Sequence, residues 1–229
     1  MDILEMFEDL FDYSEVETSV SMKEHTSFKV GGNADVFITV NTPMELALTI
    51  KVLKEAQMDY IIIGKGSNLL VTDKGIRGAV IKFGERMSGV YRFDEEDDSI
   101  YADAGASLSS IAAFAAENSL TGFEFASGIP GSFGGGIFMN AGAYDGEMKD
   151  VLESVYVMDS AGELKTLPAE ELGLSYRKSL VEEKGLIILG GTIRLKKGNK
   201  DDIKSLMDDL NRRRRDKQPL NYPSAGSTF

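Results

Sequence analysis

Cysteine is absent from the 229 residues, and histidine occurs once, at His25. The first absence excludes disulfides, thiolate metal sites and a cysteine nucleophile. A single histidine argues against a histidine-rich metal centre or a Ser-His-Asp triad. No run approaches the roughly 18 to 20 apolar residues of a membrane span, and the opening MDILEMFEDLFDYSEVE is acidic where a signal peptide is basic. These features set the expectation of a soluble, cytoplasmic protein. Neither GxxxxGKS/T nor GxGxxG occurs, which argues against a Walker ATPase or a Rossmann dinucleotide fold. A net charge of -12 argues against a general nucleic-acid binder, whose affinity comes mostly from neutralising phosphates.

Glycine, by contrast, is concentrated. The stretch GIPGSFGGGIFMNAGAYDGE, Gly128 to Glu147, holds seven glycines. Each costs roughly 0.5 to 1 kcal/mol relative to alanine inside a regular element. Phe133, Ile137, Phe138 and Met139 interrupt them and suit an ordered, buried segment rather than a solvated linker. A second, shorter glycine loop, Gly64-Lys65-Gly66-Ser67-Asn68, follows the apolar run YIIIG, so it lies at the end of a strand. Two loops rich in N–H groups, with the small hydroxyls Ser67 and Ser132, suit a pyrophosphate.

Around these loops strands and helices mix. ADVFITV alternates as a strand does, and Thr42-Pro43-Met44-Glu45 supplies an N-cap, a first-turn proline and a capping-box glutamate for a helix to about Gln57. YIIIG then reads as a buried strand. Ser107 caps a helix with Leu108, Ile111, Ala112 and Ala115 inward. ESVYVMDSAGELKTL reads as a hairpin turning at Asp159 to Gly162, and GLIILGGTIRL as a further buried strand. DDIKSLMDDLN places Ile203, Leu206, Met207 and Leu210 at helical spacing before Arg212 to Arg215, either a solvated helix end matched to its dipole or a local anion site. The expected architecture is α+β, with lobes 1–83 and 84–198, then a helix and the start of a further lobe over 199–229. The two glycine loops are expected to meet in a cleft.

HTSFKVGGNADVF, GKGSNLLVTDKGIRGAVI, the Gly128 stretch, LSYRKSL and QPLNYPSAGSTF occur in the order seen in the UDP-N-acetylenolpyruvoylglucosamine reductase family, which the chain resembles along nearly its whole length. The resemblance implies a two-lobed FAD-binding fold of the vanillyl-alcohol-oxidase (PCMH-type) class with noncovalent FAD. It implies NADPH as reductant and a small UDP-sugar enolpyruvyl ether as substrate, reduced to UDP-N-acetylmuramate for peptidoglycan. The implied FAD residues are Gly64, Lys65, Gly66, Ser67 and Asn68, with Gly128, Ile129, Pro130, Gly131, Ser132, Gly134, Gly135 and Asn140. On this reading the glycines let the main chain approach FAD and donate to its diphosphate.

Arg177 matches the family's catalytic arginine, a fixed cation suited to a developing enolate; its bland alternative is a surface salt bridge. Ser227 matches the serine that supplies a proton, and it would need strong local activation. Tyr176, and more weakly Arg214, are candidates for substrate binding. Family members continue into a further lobe with much of the UDP-sugar site and a catalytic glutamate. The chain is therefore expected to be a truncated form or fragment that holds FAD and reduces substrate poorly or not at all. Two other readings are a different flavin oxidoreductase and a nonenzymatic FAD-binding module.

Overall fold

A computed structural model describes Phe7, residues 15–218 and residues 222–224. Contacts divide the chain into two compact units, Met1–Met87 with Asn221–Phe229, and Ser88–Leu220. These bounds differ from the expected breaks at 83 and 198. The helix after Asn199 packs within the second unit because Ile203 and Leu210 are buried there.

The first unit contains β1 (Glu15–Ser21), β2 (Asn33–Val40), α1 (Pro43–Glu55), β3 (Tyr60–Ile63) and β4 (Ile76–Phe83). Its sheet has the order β1-β2-β4-β3, with β1 antiparallel to β2 and both β2 and β3 parallel to β4. A parallel pair needs a crossover, and α1 supplies it between β2 and β3. Thr42 Oγ1 accepts the Glu45 N–H at 3.1 Å and so caps α1 as expected, while the Glu45 carboxylate reaches one residue beyond the N-cap and accepts the Asn41 N–H at 2.7 Å. Leu46 and Leu53 are fully buried, each contributing about 1.5 to 3 kcal/mol. The run YIIIG is not the buried strand its composition suggests. β3 lies at the sheet edge, so only Ile63 is buried and Ile61 is exposed. The core here is Met22, Ala34, Phe37, Ile63, Val71 and Val80.

The second unit runs through β5 (Val90–Tyr91), β6 (Ser99–Asp103), α2 (Leu108–Glu117), β7 (Leu120–Thr121), α3 (Phe133–Phe138), β8 (Gly142–Ala143) and β9 (Gly146–Glu147). It continues with β10 (Leu152–Met158), β11 (Leu164–Pro168), β12 (Ile187–Arg194), β13 (Lys196–Lys197) and α4 (Lys200–Lys217). Its main sheet is antiparallel, in the order β11-β10-β12-β6-β5. Ser107 Oγ accepts the Ser110 N–H at 2.9 Å and caps α2, and Asp159 Oδ1 accepts from Ala161 and Glu163 to close the β10–β11 turn. The central strand β12 carries Gly190 and Gly191. At Gly191 a Cβ would lie 2.7 Å from the Ser154 carbonyl oxygen of β10, so the bare backbone lets the two strands pair there, with the Phe133 ring of α3 in ordinary contact at 3.4 Å. No helix among the described residues is long and apolar enough to cross a membrane.

Candidate cofactor and active site

In the first unit the chain leaves β3 through Gly64 to Asn68. Gly66 has φ +62°, and a Cβ there would sit 2.0 Å from the His25 carbonyl oxygen and 3.0 Å from Thr26 Cα. Only glycine admits so close a crossing of two backbones. The Ser27 N–H donates to Gly66 O at 3.2 Å and ties the crossing down. Among the described residues, the N–H groups of Lys65, Gly66, Ser67 and Asn68 donate to no acceptor. Beside them Thr26 is 5% exposed, and its hydroxyl has no partner. An orphaned buried hydroxyl costs about 1 to 3 kcal/mol, so this concentration of unclaimed donors suits an anionic ligand.

The glycine stretch of the second unit is arranged differently. Most of its N–H groups are engaged by the chain: Ile129 donates to Ala126 O, Gly131 to Ile129 O, Phe133 to Ala106 O at 2.8 Å, Gly134 to Ala104 O at 2.9 Å and Gly136 to Ser132 O, while those of Gly128 and Ser132 meet no acceptor among the described residues. Ser132 caps α3, weakly accepting the Gly135 N–H at 3.4 Å. Several of these glycines answer to the protein's own packing. A Cβ at Gly134 would lie 2.8 Å from Ala104 Cβ, and one at Gly136 3.2 Å from Leu108. Gly135 is exposed, and a Cβ there would meet only Ser132 Oγ, at 3.2 Å. Just before the stretch, Ser127 is buried with its hydroxyl unpartnered.

Asn140, expected to touch cofactor, is 1% exposed and bonded internally. Its amide nitrogen donates to Glu147 Oε2 at 2.7 Å and to Ser175 O at 3.0 Å, and its oxygen accepts the Lys149 N–H at 2.9 Å. It thereby anchors a tight turn in which Ser175 and Lys178 exchange both backbone bonds, at 3.0 and 3.1 Å. Tyr176 and Arg177 form the tip. Arg177 has φ +52°, a left-handed conformation that costs an L-residue about 1 to 2 kcal/mol. Its guanidinium donates to Gly142 O at 3.3 Å, lies 5.6 Å from the Tyr176 ring centroid and makes no ion pair among the described residues. The salt-bridge alternative is thus not what the geometry shows; neighbouring Lys178 instead pairs with Glu183.

On α4, Arg212 and Arg213 both pair with Asp209, whereas half-buried Arg214 has no ion pair among the described residues. Gly128 makes room for its stem, since a Cβ there would lie 3.2 Å from Arg214 Cδ and 2.5 Å from Asn211 Oδ1. Burial lowers this guanidinium's pKa from its ordinary value, with Tyr144 opposing. Ser227 lies outside the described residues. Ser224, three positions earlier, donates its N–H to Ser27 O at 3.2 Å.

A family model described as an FAD binding domain matches residues 34–168. UDP-N-acetylenolpyruvoylglucosamine reductase of Clostridium novyi (strain NT) is 48% identical over 229 residues, covering 100% of this chain and 73% of that protein. The chain belongs to the UDP-N-acetylenolpyruvoylglucosamine reductase family. The crystal structure of UDP-N-acetylenolpyruvylglucosamine reductase from Thermus caldophilus superposes with a TM-score of 0.79 at 34% identity, over 95% of this chain and 75% of that one. A glucose dehydrogenase, Phl p 4.0202, shares the fold alone, with a TM-score of 0.63 at 15% identity over 87% of this chain and 45% of that one. The fold is therefore the two-lobed α+β FAD-binding class that the motifs implied.

The residues present fit a family whose cofactor carries a diphosphate. Unclaimed N–H groups follow β3, and orphaned hydroxyls at Thr26 and Ser127 adjoin the two glycine segments. Motif reading missed both hydroxyls. Their only sequence signal is adjacency, Ser127 to Gly128 along the chain and Thr26 within HTS, and nothing local shows that either would be buried without a partner.

Proposed function

We propose that the chain, which spans 73% of its Clostridium novyi relative, serves the FAD-dependent, NADPH-consuming reduction of the enolpyruvyl ether of UDP-N-acetylglucosamine to UDP-N-acetylmuramate, a step of peptidoglycan precursor synthesis in the cytoplasm, and that these 229 residues hold FAD but by themselves reduce substrate poorly or not at all. The observation that carries this reading, within the family, is the exposed Arg177 guanidinium, free of carboxylate partners among the described residues and held in a left-handed turn by Asn140. FAD, when bound, would supply the redox chemistry, hydride transfer from NADPH to the β-carbon of the enolpyruvyl group. Negative charge then builds on the substrate as an enolate. Arg177 offsets that charge with a cation that cannot be deprotonated near neutrality, and Ser227 returns a proton to the α-carbon.

FAD would be held noncovalently by Gly64 to Asn68, whose N–H groups are free to address the diphosphate, and by the segment Gly128 to Gly135. Tyr176 and Arg214 bind substrate, Arg214 through a guanidinium suited to a nucleotide phosphate. Asn140 serves this scheme by holding the Arg177 turn.

The test follows the two half-reactions separately in the FAD-loaded protein. Removing one preorganised stabiliser of transition-state charge costs roughly 3 kcal/mol, so Arg177→Ala should slow substrate reduction about a hundredfold or more. Flavin reduction by NADPH should change far less. Equal losses in both half-reactions would remove Arg177 from this role, and a parent protein that takes up no FAD would remove the whole scheme.

A further inference from the structure

Thr26 is nearly inaccessible, at 5% exposure, yet its Oγ1 makes no hydrogen bond within the described residues. A hydroxyl in that condition destabilises the fold unless something outside the fold uses it. Its position narrows what that is. Residues 25–27 cross directly over the Gly66 backbone: the His25 carbonyl and Thr26 Cα bracket the point where a Gly66 Cβ would sit, and the Ser27 N–H holds Gly66 O at 3.2 Å. The N–H groups of Lys65, Gly66, Ser67 and Asn68 are themselves unclaimed within the described residues. One loop thus offers a run of free main-chain donors, and the segment locked onto it offers one more donor.

We propose that the Thr26 hydroxyl is an additional ligand of the FAD diphosphate, acting with the main-chain donors of Lys65 to Asn68. The inference rests on the reading that this loop holds FAD. A diphosphate is the matching chemistry because its oxygens accept several hydrogen bonds at once and strengthen each with negative charge. Threonine reaches it by a turn about χ1 between staggered wells, a movement that leaves the backbone crossing intact. Valine has nearly the same shape and lacks the donor, so it separates the two things that residue 26 does.

The experiment compares the full chain with Thr26→Val and Thr26→Ser. It measures melting temperature without cofactor, FAD affinity by fluorescence titration and the phosphorus resonances of bound FAD. The valine protein should melt no lower than the parent, because the orphaned hydroxyl is gone. Its FAD dissociation constant should rise about tenfold or more, the loss expected for one hydrogen bond to a charged group. The diphosphate resonances of bound FAD should shift. Serine, which keeps the donor, should stay within about threefold of the parent. Thr26→Ala gives the same comparison if valine prevents folding. Parent-like affinity and unshifted phosphorus signals in the valine protein would overturn the proposal and leave FAD binding by the loop standing. A parent chain that binds no FAD would overturn both.

Discussion

The two glycine segments look alike in sequence and are built for opposite purposes. At Gly64 to Asn68 the glycine lets two backbones cross, and the N–H groups of the loop stay unclaimed within the described residues. From Gly128 to Gly136 the N–H groups of Ile129, Gly131, Phe133, Gly134 and Gly136 close on carbonyls of the same unit, including Ala104 and Ala106, that of Gly135 meets the Ser132 hydroxyl, and several missing side chains make room for Ala104, Leu108 and Arg214. A glycine-rich stretch is therefore not in itself a donor array. What decides is where each N–H goes. The short loop has the donors, while the long stretch is mainly a close-packed support with one open position, Gly135.

Substitutions can break this contrast. The largest effect on stability is expected at Gly66→Ala, where a methyl group would meet the His25 carbonyl in a left-handed conformation. A loss of about 3 kcal/mol or more should appear as a melting temperature lower by roughly 6 to 12 °C. A protein as stable as the parent would mean that the crossing is not tight. Asn140→Ala comes next. It strips the Ser175 carbonyl, the Glu147 carboxylate and the Lys149 N–H of a buried partner, costing about 2 to 4 kcal/mol. FAD affinity should hold within about threefold; a large drop with stability intact would return Asn140 to the cofactor. Gly135→Ala should change stability least, within about 1 kcal/mol, since alanine favours a helix and only Ser132 Oγ is near. If Gly135 is where the long stretch faces FAD, the same substitution weakens cofactor binding about tenfold or more.

Much of the fold was legible because its signals are local. Thr42, Ser107 and Asp159 each act within a few residues, and each does what its chemistry announces. The exposure of β3 was not legible, because an apolar run does not say which strands will flank it, and among the described residues β3 pairs only with β4. The unit boundaries were missed for a related reason: the first unit takes in residues from far along the chain. At the candidate site, motif order located the Arg177 turn. It did not reveal that the amide of Asn140, 35 positions earlier, holds that turn, or that the N–H groups of the Gly128 stretch are largely engaged at home.

The bond from Ser224 N–H to Ser27 O links residues at nearly opposite ends of the chain, both within the first unit. The second unit is one uninterrupted stretch, Ser88–Leu220. As a ribosome extends the chain, domains usually form in order from the N-terminus. Here the later-synthesised unit has all its residues before Ser224, which bonds to the earlier unit, has been made.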